Sequence, residues 1–283
     1  MKKIRLSVNN VFEWKGIPYI TLIVFSILLL LPFYWSFVTA FKTMEEVYLW
    51  PPSFWPKNFS LSGFNFALLH SSIPLYLINS TIYSLCVSLF VLVVGTITIY
   101  GLSFYPYKGS GKIFIIFFLT RVIPAQVLWL PFLIIFTRLN LTGTRLPIMI
   151  FGVILIYPLA VWMFKSIFED FPREIIEAAT LDGCSKMQAL YSVVLPVVAP
   201  AVAAIGMTSF LWSWNEFFFP YLILNQPDLW PITVGIIGFL GEEGIMWNAL
   251  CASQLLAMTP GIIFFIFAQK HILKGLSAGS VKG

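Results

Sequence analysis

Five stretches of the chain, residues 16–41, 58–107, 146–164, 187–215 and 244–269, contain no Lys, Arg, Asp or Glu. Each is at least as long as the roughly 18 residues from which a membrane-crossing helix is read. Divided at prolines, glycines and charge clusters, the apolar pattern predicts six spans at about 17–41, 75–102, 113–137, 147–165, 197–224 and 245–271. The expected fold is all-α, a polytopic membrane protein organised as one transmembrane domain over residues 1–283.

A polar island, residues 166–196, separates the fourth span from the fifth. Pro172 suits the first turn of a helix, and Glu174 and Glu177 favour its positive end. Gly183 can supply the left-handed residue that stops that helix, and Ser185 can cap a second one. At Leu195-Pro196 the missing N–H of proline and its clash with the preceding turn predict a break or kink. Elsewhere, the aromatic and proline-rich segment from Lys42 to Ile73 reads as chain lying at a membrane interface, with a short amphipathic helix over Phe64 to His70.

Composition agrees with the membrane reading: 59% of residues are hydrophobic and 10% charged, against about 25% charged in soluble domains. The first apolar run is too long for the core of a signal peptide and carries no small-residue cleavage site, so it reads as a retained span. The net charge of +5 follows topology and calls for no nucleic acid. With the N-terminus inside, twelve Lys and Arg fall in cytoplasmic segments (Lys2, Lys3, Arg5, Lys15, Lys108, Lys112, Lys165, Arg173, Lys186, Lys270, Lys274, Lys282) and four in outer ones (Lys42, Lys57, Arg138, Arg145). That bias predicts cytoplasmic termini and a cytoplasmic polar island.

Little in the chain suits catalysis. Cys86, Cys184 and Cys251 have no disulfide or zinc spacing, and His70 and His271 belong to no triad or metal-ligand pattern. Lys108-Gly-Ser-Gly-Lys112 resembles a phosphate loop only briefly: Pro106 stands where the first glycine is needed, and Ile113 where Ser or Thr would follow the lysine. No cofactor or metal site is expected here, and ATP with its Mg would have to be handled by another chain.

Away from the span ends, two charged residues, Arg121 and Glu216, fall inside the expected spans, where a charge costs a few kcal/mol and marks a functional candidate. Arg121 precedes Ile123-Pro124-Ala-Gln126 in the third span. Glu216 lies in Trp212-Ser-Trp214-Asn215-Glu216 in the fifth. A solute path could use Glu216 with Trp212, four residues away on the same helix face, together with Asn215, Arg121 and Gln126. Trp214, on another face, is left to lipid or a partner. Packing inside the helix bundle is the alternative for Arg121 and Glu216, and Asn79 could equally pair across helices.

Glu177-Ala178-Ala179, then Asp182-Gly183 and Val193-Val194-Leu195-Pro196, resemble the EAA signature of bacterial ABC importer permeases. Leu31-Pro-Phe-Tyr34, Leu77-Ile-Asn79-Ser80, Trp214-Asn215-Glu216-Phe217 and the ending Gly275 to Gly283 resemble carbohydrate permeases of the maltose type, in particular the smaller subunit of the pair. Cys184 stands where that family usually has Ala, and Arg121 where it often has a neutral amide. The resemblance implies a subunit in the bacterial inner membrane, paired with a second, unlike permease, two ATPase subunits and an external solute-binding protein. It implies that the EAA loop (Glu177, Ala178, Ala179, Asp182, Gly183, Leu195, Pro196) couples to the ATPase, and that the segment carrying Gly241, Glu242, Glu243 and Gly244 faces the binding protein. It leaves open which sugar, polyol or sugar phosphate is carried. An ion-driven secondary transporter, the reading from another class, would need inverted repeats; the sequence has no internal repeat.

Overall fold

The computed structural model describes the backbone of residues 8–241 and 244–279, and the side chains of 18–240 and 244–266. In chain order the elements are α1 (Val8–Ala40), α2 (Met44–Val47), α3 (Ser62–Leu69), α4 (Ile73–Phe104), α5 (Ser110–Thr120), α6 (Ala125–Arg138), α7 (Leu146–Glu169), α8 (Arg173–Leu181) and α9 (Lys186–Gln188). A π-helical turn (Ala189–Val194) leads into α10 (Leu195–Trp214), followed by α11 (Phe218–Ile223) and α12 (Ile232–Gly235). A two-stranded hairpin, β1 (Leu240–Gly241) and β2 (Gly244–Ile245), precedes α13 (Trp247–Gly279). Five helical stretches are long and apolar enough to cross a membrane, and α5 with α6, counted as one broken span, brings the number to six. The chain's contacts divide it into two units, residues 1–71 with 239–256 and residues 72–238 with 257–283.

In the first unit, α1 exposes its apolar side chains from 18 to 34 and buries only its last turn, where Ala40 packs with Cys251, Ala252 and partly buried Phe41 and Phe64. The short helix expected at 64–70 is α3. The loop from α1 to α3 is held by two buried charged side chains, Lys42 and Glu46. The Glu46 carboxylate accepts from the Ser53 hydroxyl (2.7 Å), the Lys57 amide (2.8 Å) and the Asn58 amide (3.3 Å). Lys42 donates to the Ser53 carbonyl (2.5 Å) and lies 4.9 Å from the Trp35 ring centroid. Burial alone would raise the Glu46 carboxyl, but these hydrogen bonds and the Lys42 charge bring it below the usual carboxylate value. Asn248, at the start of α13, ties the loop to α3 through the Lys42 carbonyl (3.4 Å) and the Ser62 hydroxyl (3.3 Å).

In the second unit, α4, α7 and α10 bury a continuous core of Val87, Val91, Ile99, Ile156, Val161, Phe164, Leu190, Val198 and Ile205. Aromatic stacking builds a second cluster, with Phe151 and Phe219 at 3.8 Å between centroids beside Tyr83 and Phe136.

The third span bends sharply at its proline: α5 and α6 meet at 96°. Pro124 cannot donate to the turn before it, and it stands as the extended N-cap of α6. The fifth span does not run to residue 224. Helix α10 ends at Trp214 and Asn215 caps it, so Glu216 and Phe217 lie in a break before α11.

Candidate coupling loop and solute path

The polar island folds as helix, glycine turn, helix. Helix α8 presents Ile176 and Ala179 to the core and Glu177 and Ala178 outward; Ile176 belongs to the main core cluster. It stops in a Schellman turn. The Gly183 amide donates to the Thr180 carbonyl (3.1 Å) and the Cys184 amide to the Ala179 carbonyl (3.0 Å), with Gly183 at φ +91°. Asp182 is the C-cap residue. Ser185 then forms a capping box with Gln188: its side chain accepts from the Gln188 amide (3.3 Å) and its own amide donates to the Gln188 side chain (2.8 Å).

The break expected at Leu195-Pro196 does not occur. The helix stays continuous from Lys186 to Trp214 because the turn ahead of Pro196 widens to i−5 bonding, with the Leu195 amide on the Leu190 carbonyl. A π turn relocates the carbonyls that the proline ring would otherwise strike.

Three contacts anchor this loop to neighbouring helices. The Tyr100 hydroxyl of α4 donates to the Lys186 carbonyl (3.0 Å), the Lys186 ammonium lies 4.2 Å from the Tyr105 ring centroid, and Arg173 donates to the Ser103 carbonyl (3.1 Å). Held from below, the loop shows the solvent side a mixed surface of Glu174, Glu177, Asp182 and the apolar Leu181, which is 89% exposed.

The polar residues expected in the membrane do not form one cluster; no hydrogen bond joins any two of Arg121, Gln126, Asn215 and Glu216 among the described residues. Arg121 sits in the α5–α6 break and donates to the Leu155 carbonyl (3.3 Å), in the turn of α7 just before Pro158. It also lines a cavity of about 200 Å³ with Phe114, Phe117, Trp162 and Lys165. Gln126 is exposed in the first turn of α6.

Asn215 bonds back to the Leu211 carbonyl (2.7 Å). Glu216 accepts from the Phe219 amide (3.2 Å), and its backbone carbonyl accepts from the Thr233 hydroxyl (2.8 Å). Because Glu216 has left the helix, it does not share a helix face with Trp212, which packs against both core clusters. Trp214 faces neither lipid nor a partner: it is buried, stacks on Phe210 and donates to the Ala257 carbonyl (3.0 Å).

A polar knot that sequence reasoning did not assemble lies on α4. Asn79, wholly buried, donates to the carbonyls of Asp228 (2.8 Å) and Trp230 (3.1 Å) and accepts from Arg145 (3.0 Å). Ser80 accepts from the Ile232 amide (2.8 Å) and Tyr83 donates to the Leu229 carbonyl (2.6 Å). Together they strap residues 228–232 onto α4. Gly235 extends the seam, since a Cβ there would fall 1.9 Å from the Tyr76 ring. The spacing 79, 80, 83 was a signal for one polar helix face; its partners, mostly backbone carbonyls, carry none.

In the hairpin, Gly241 pairs with Gly244 and the Tyr48 hydroxyl donates to the Ile245 carbonyl (2.7 Å). Glu242 and Glu243 lie outside the described residues.

Between its fourth and fifth spans this helical chain carries a helix–glycine–helix element closed by a Schellman turn and a capping box. Residues 108–277 match the family of binding-protein-dependent transport system inner membrane components. The chain belongs to that family and is an inner-membrane component of such a system, not an ion-driven carrier.

It is 27% identical over 266 residues to the diacetylchitobiose uptake system permease protein DasC of Streptomyces coelicolor, covering 94% of this chain and 96% of that one. Over 233 residues it is 29% identical to the arabinooligosaccharides transport system permease protein AraQ of Bacillus subtilis, covering 81% of each. Its fold is similar to a chain of a bacterial ABC transporter involved in the import of the acidic polysaccharide alginate, with a TM-score of 0.81, 21% identity and coverage of 93% and 98%.

Proposed function

We propose that the chain forms half of the channel of an ATP-driven importer for a carbohydrate or related polyhydroxy solute. An external solute-binding protein delivers the solute, a second, unlike permease completes the channel, and two separate subunits bind ATP with Mg. Both termini and the loop 166–196 lie on the cytoplasmic side. The observation that carries the reading is the α8–α9 element: a Schellman turn and a capping box fix the angle between its helices, while Leu181 projects from it 89% exposed among the described residues. An exposed leucine beside Glu174, Glu177 and Asp182 suits an apolar anchor entering a cleft of another subunit. The long exposed face of α1 suits lipid on one side and the second permease on the other.

Nucleotide-driven closure of the ATPase pair moves the loop, and the rigid turn passes that movement to α10 through the continuous helix from Lys186. Oligosaccharide relatives support a glycan solute. Purifying the chain from membranes together with its neighbours tests the assembly: an ATPase subunit accompanies it, and a chain recovered without one contradicts the reading.

The solute path runs beside the α10–α11 break, where the half-buried Glu216 accepts from the Phe219 amide. Glu216→Gln retains an acceptor for that amide, so the complex assembles while uptake falls several-fold; unchanged uptake removes Glu216 from the path.

A further inference from the structure

Three segments distant in sequence, 43–45, 60–66 and 246–248, meet in the first unit around an open cup of about 350 Å³. Thr43, Glu45, Ser60, Ser62 and Asn248 supply its polar lining, and Met44, Phe66 and Met246 its apolar lining. Hydrogen bonds inside the unit consume most of the polar atoms. Thr43 caps α2 through the Glu46 amide (3.2 Å), Ser60 donates to Ser62 (2.9 Å), and Asn248 reaches Ser62 and the Lys42 carbonyl. Glu45 is the exception. It is exposed, and among the described residues no cation or hydrogen-bond donor meets its carboxylate.

The cup is also rigid. The buried Glu46 carboxylate clamps Ser53, Lys57 and Asn58, which fixes the loop that carries Thr43 and Glu45, and Tyr48 joins it to the hairpin strand just before Met246. A preorganised concavity keeps the ordering cost of association low. Two methionines in its lining adapt to the shape of an aliphatic stem, and the lone carboxylate of Glu45 beside them completes a receptor for a cation at the end of that stem.

We propose that this cup is a docking socket for a basic side chain, lysine or arginine, on the external solute-binding protein, with the stem over Met44 and Met246 and the charge on Glu45. The proposal rests on the orientation given under Proposed function, which puts the 42–73 segment outside. A charge pair at the rim of an interface acts on encounter and on salt dependence.

The test uses the whole complex in nanodiscs and its binding protein. Glu45→Lys, on an exposed position, weakens binding-protein affinity by about tenfold, and Glu45→Gln reduces the loss of affinity between about 50 and 300 mM salt. Wild-type affinity and salt dependence in both variants overturn the proposal. A second measurement, impermeant thiol labelling of Glu45→Cys in cells, separates this claim from the orientation beneath it. Labelling from outside that the binding protein blocks supports the socket. Labelling from outside that it does not block overturns the socket and leaves the orientation standing; labelling only from the cytoplasmic face overturns both.

Discussion

The Cys184 amide donates to the Ala179 carbonyl at 3.0 Å, closing the turn over Gly183 and fixing the direction in which the second helix of the loop leaves the first. The bond requires Gly183 at φ +91°. A Cβ there would meet no other atom within 4 Å, so the cost of a substitution is backbone strain alone, about 1–2 kcal/mol for an ordinary residue and less for Asn. Gly183→Val therefore inserts into the membrane normally but separates ATP hydrolysis from uptake, whereas Gly183→Asn stays close to wild type. Uptake and ATPase rates of the reconstituted complex check this, and equal coupling in the two variants would count against the turn as the transmitting element.

A second expectation concerns the strap on α4. Asn79 satisfies three groups at once, the carbonyls of Asp228 and Trp230 and the guanidinium of Arg145. Asn79→Leu keeps the volume and leaves all three without their partner, a loss of about 1–3 kcal/mol for each group that stays dry. Thermal unfolding in nanodiscs should fall by several degrees, more than for Ser80→Ala, which frees one amide. A variant as stable as wild type would show that water replaces the amide freely.

The island was the most legible part of the sequence because its signals are local. Pro172, Gly183 and Ser185 each act on the backbone within a few residues: Gly183 and Ser185 stand where their chemistry led us to expect them, and Pro172 stands one position earlier, as the N-cap rather than in the first turn. Apolar runs likewise located the spans, since span length is set by bilayer thickness. Where the reading failed, a competing local effect won. Pro196 was expected to break or kink its helix, and a π turn carries the helix past the proline without a break. Pro124 does break the third span, because the whole stretch from Arg121 to Pro124 leaves the helix. Glu216 was assigned to a helix that ends two residues earlier, and no proline or glycine announces that end. The partners of Asn79 and Trp214 are backbone carbonyls 149 and 43 residues away, and a carbonyl has no sequence identity.

Acid sensitivity follows from the buried carboxylate in the first unit. Hydrogen bonds from Ser53, Lys57 and Asn58 hold Glu46 below the usual glutamate value despite its burial. A carboxyl whose folded value is depressed contributes stability that is fully present above its unfolded value, near 4.3, and lost as pH falls through the folded value. Thermal unfolding followed from pH 7 to pH 3 should show wild type losing stability below about pH 4.3, with a shallower fall for Glu46→Gln. Parallel profiles would place the acid-sensitive group elsewhere.

The proposed function requires Leu181 to meet an ATPase subunit in the cytoplasm. In a chain with Cys86, Cys184 and Cys251 replaced by Ser, the single substitution Leu181→Cys puts a thiol on a side chain that is 89% exposed. Crosslinking in intact membranes should join it to the ATPase subunit, with a yield that changes when nucleotide is added. Labelling of that thiol in whole cells by a membrane-impermeant reagent, without any crosslink to an ATPase, would contradict both the side of the membrane and the role assigned to the loop.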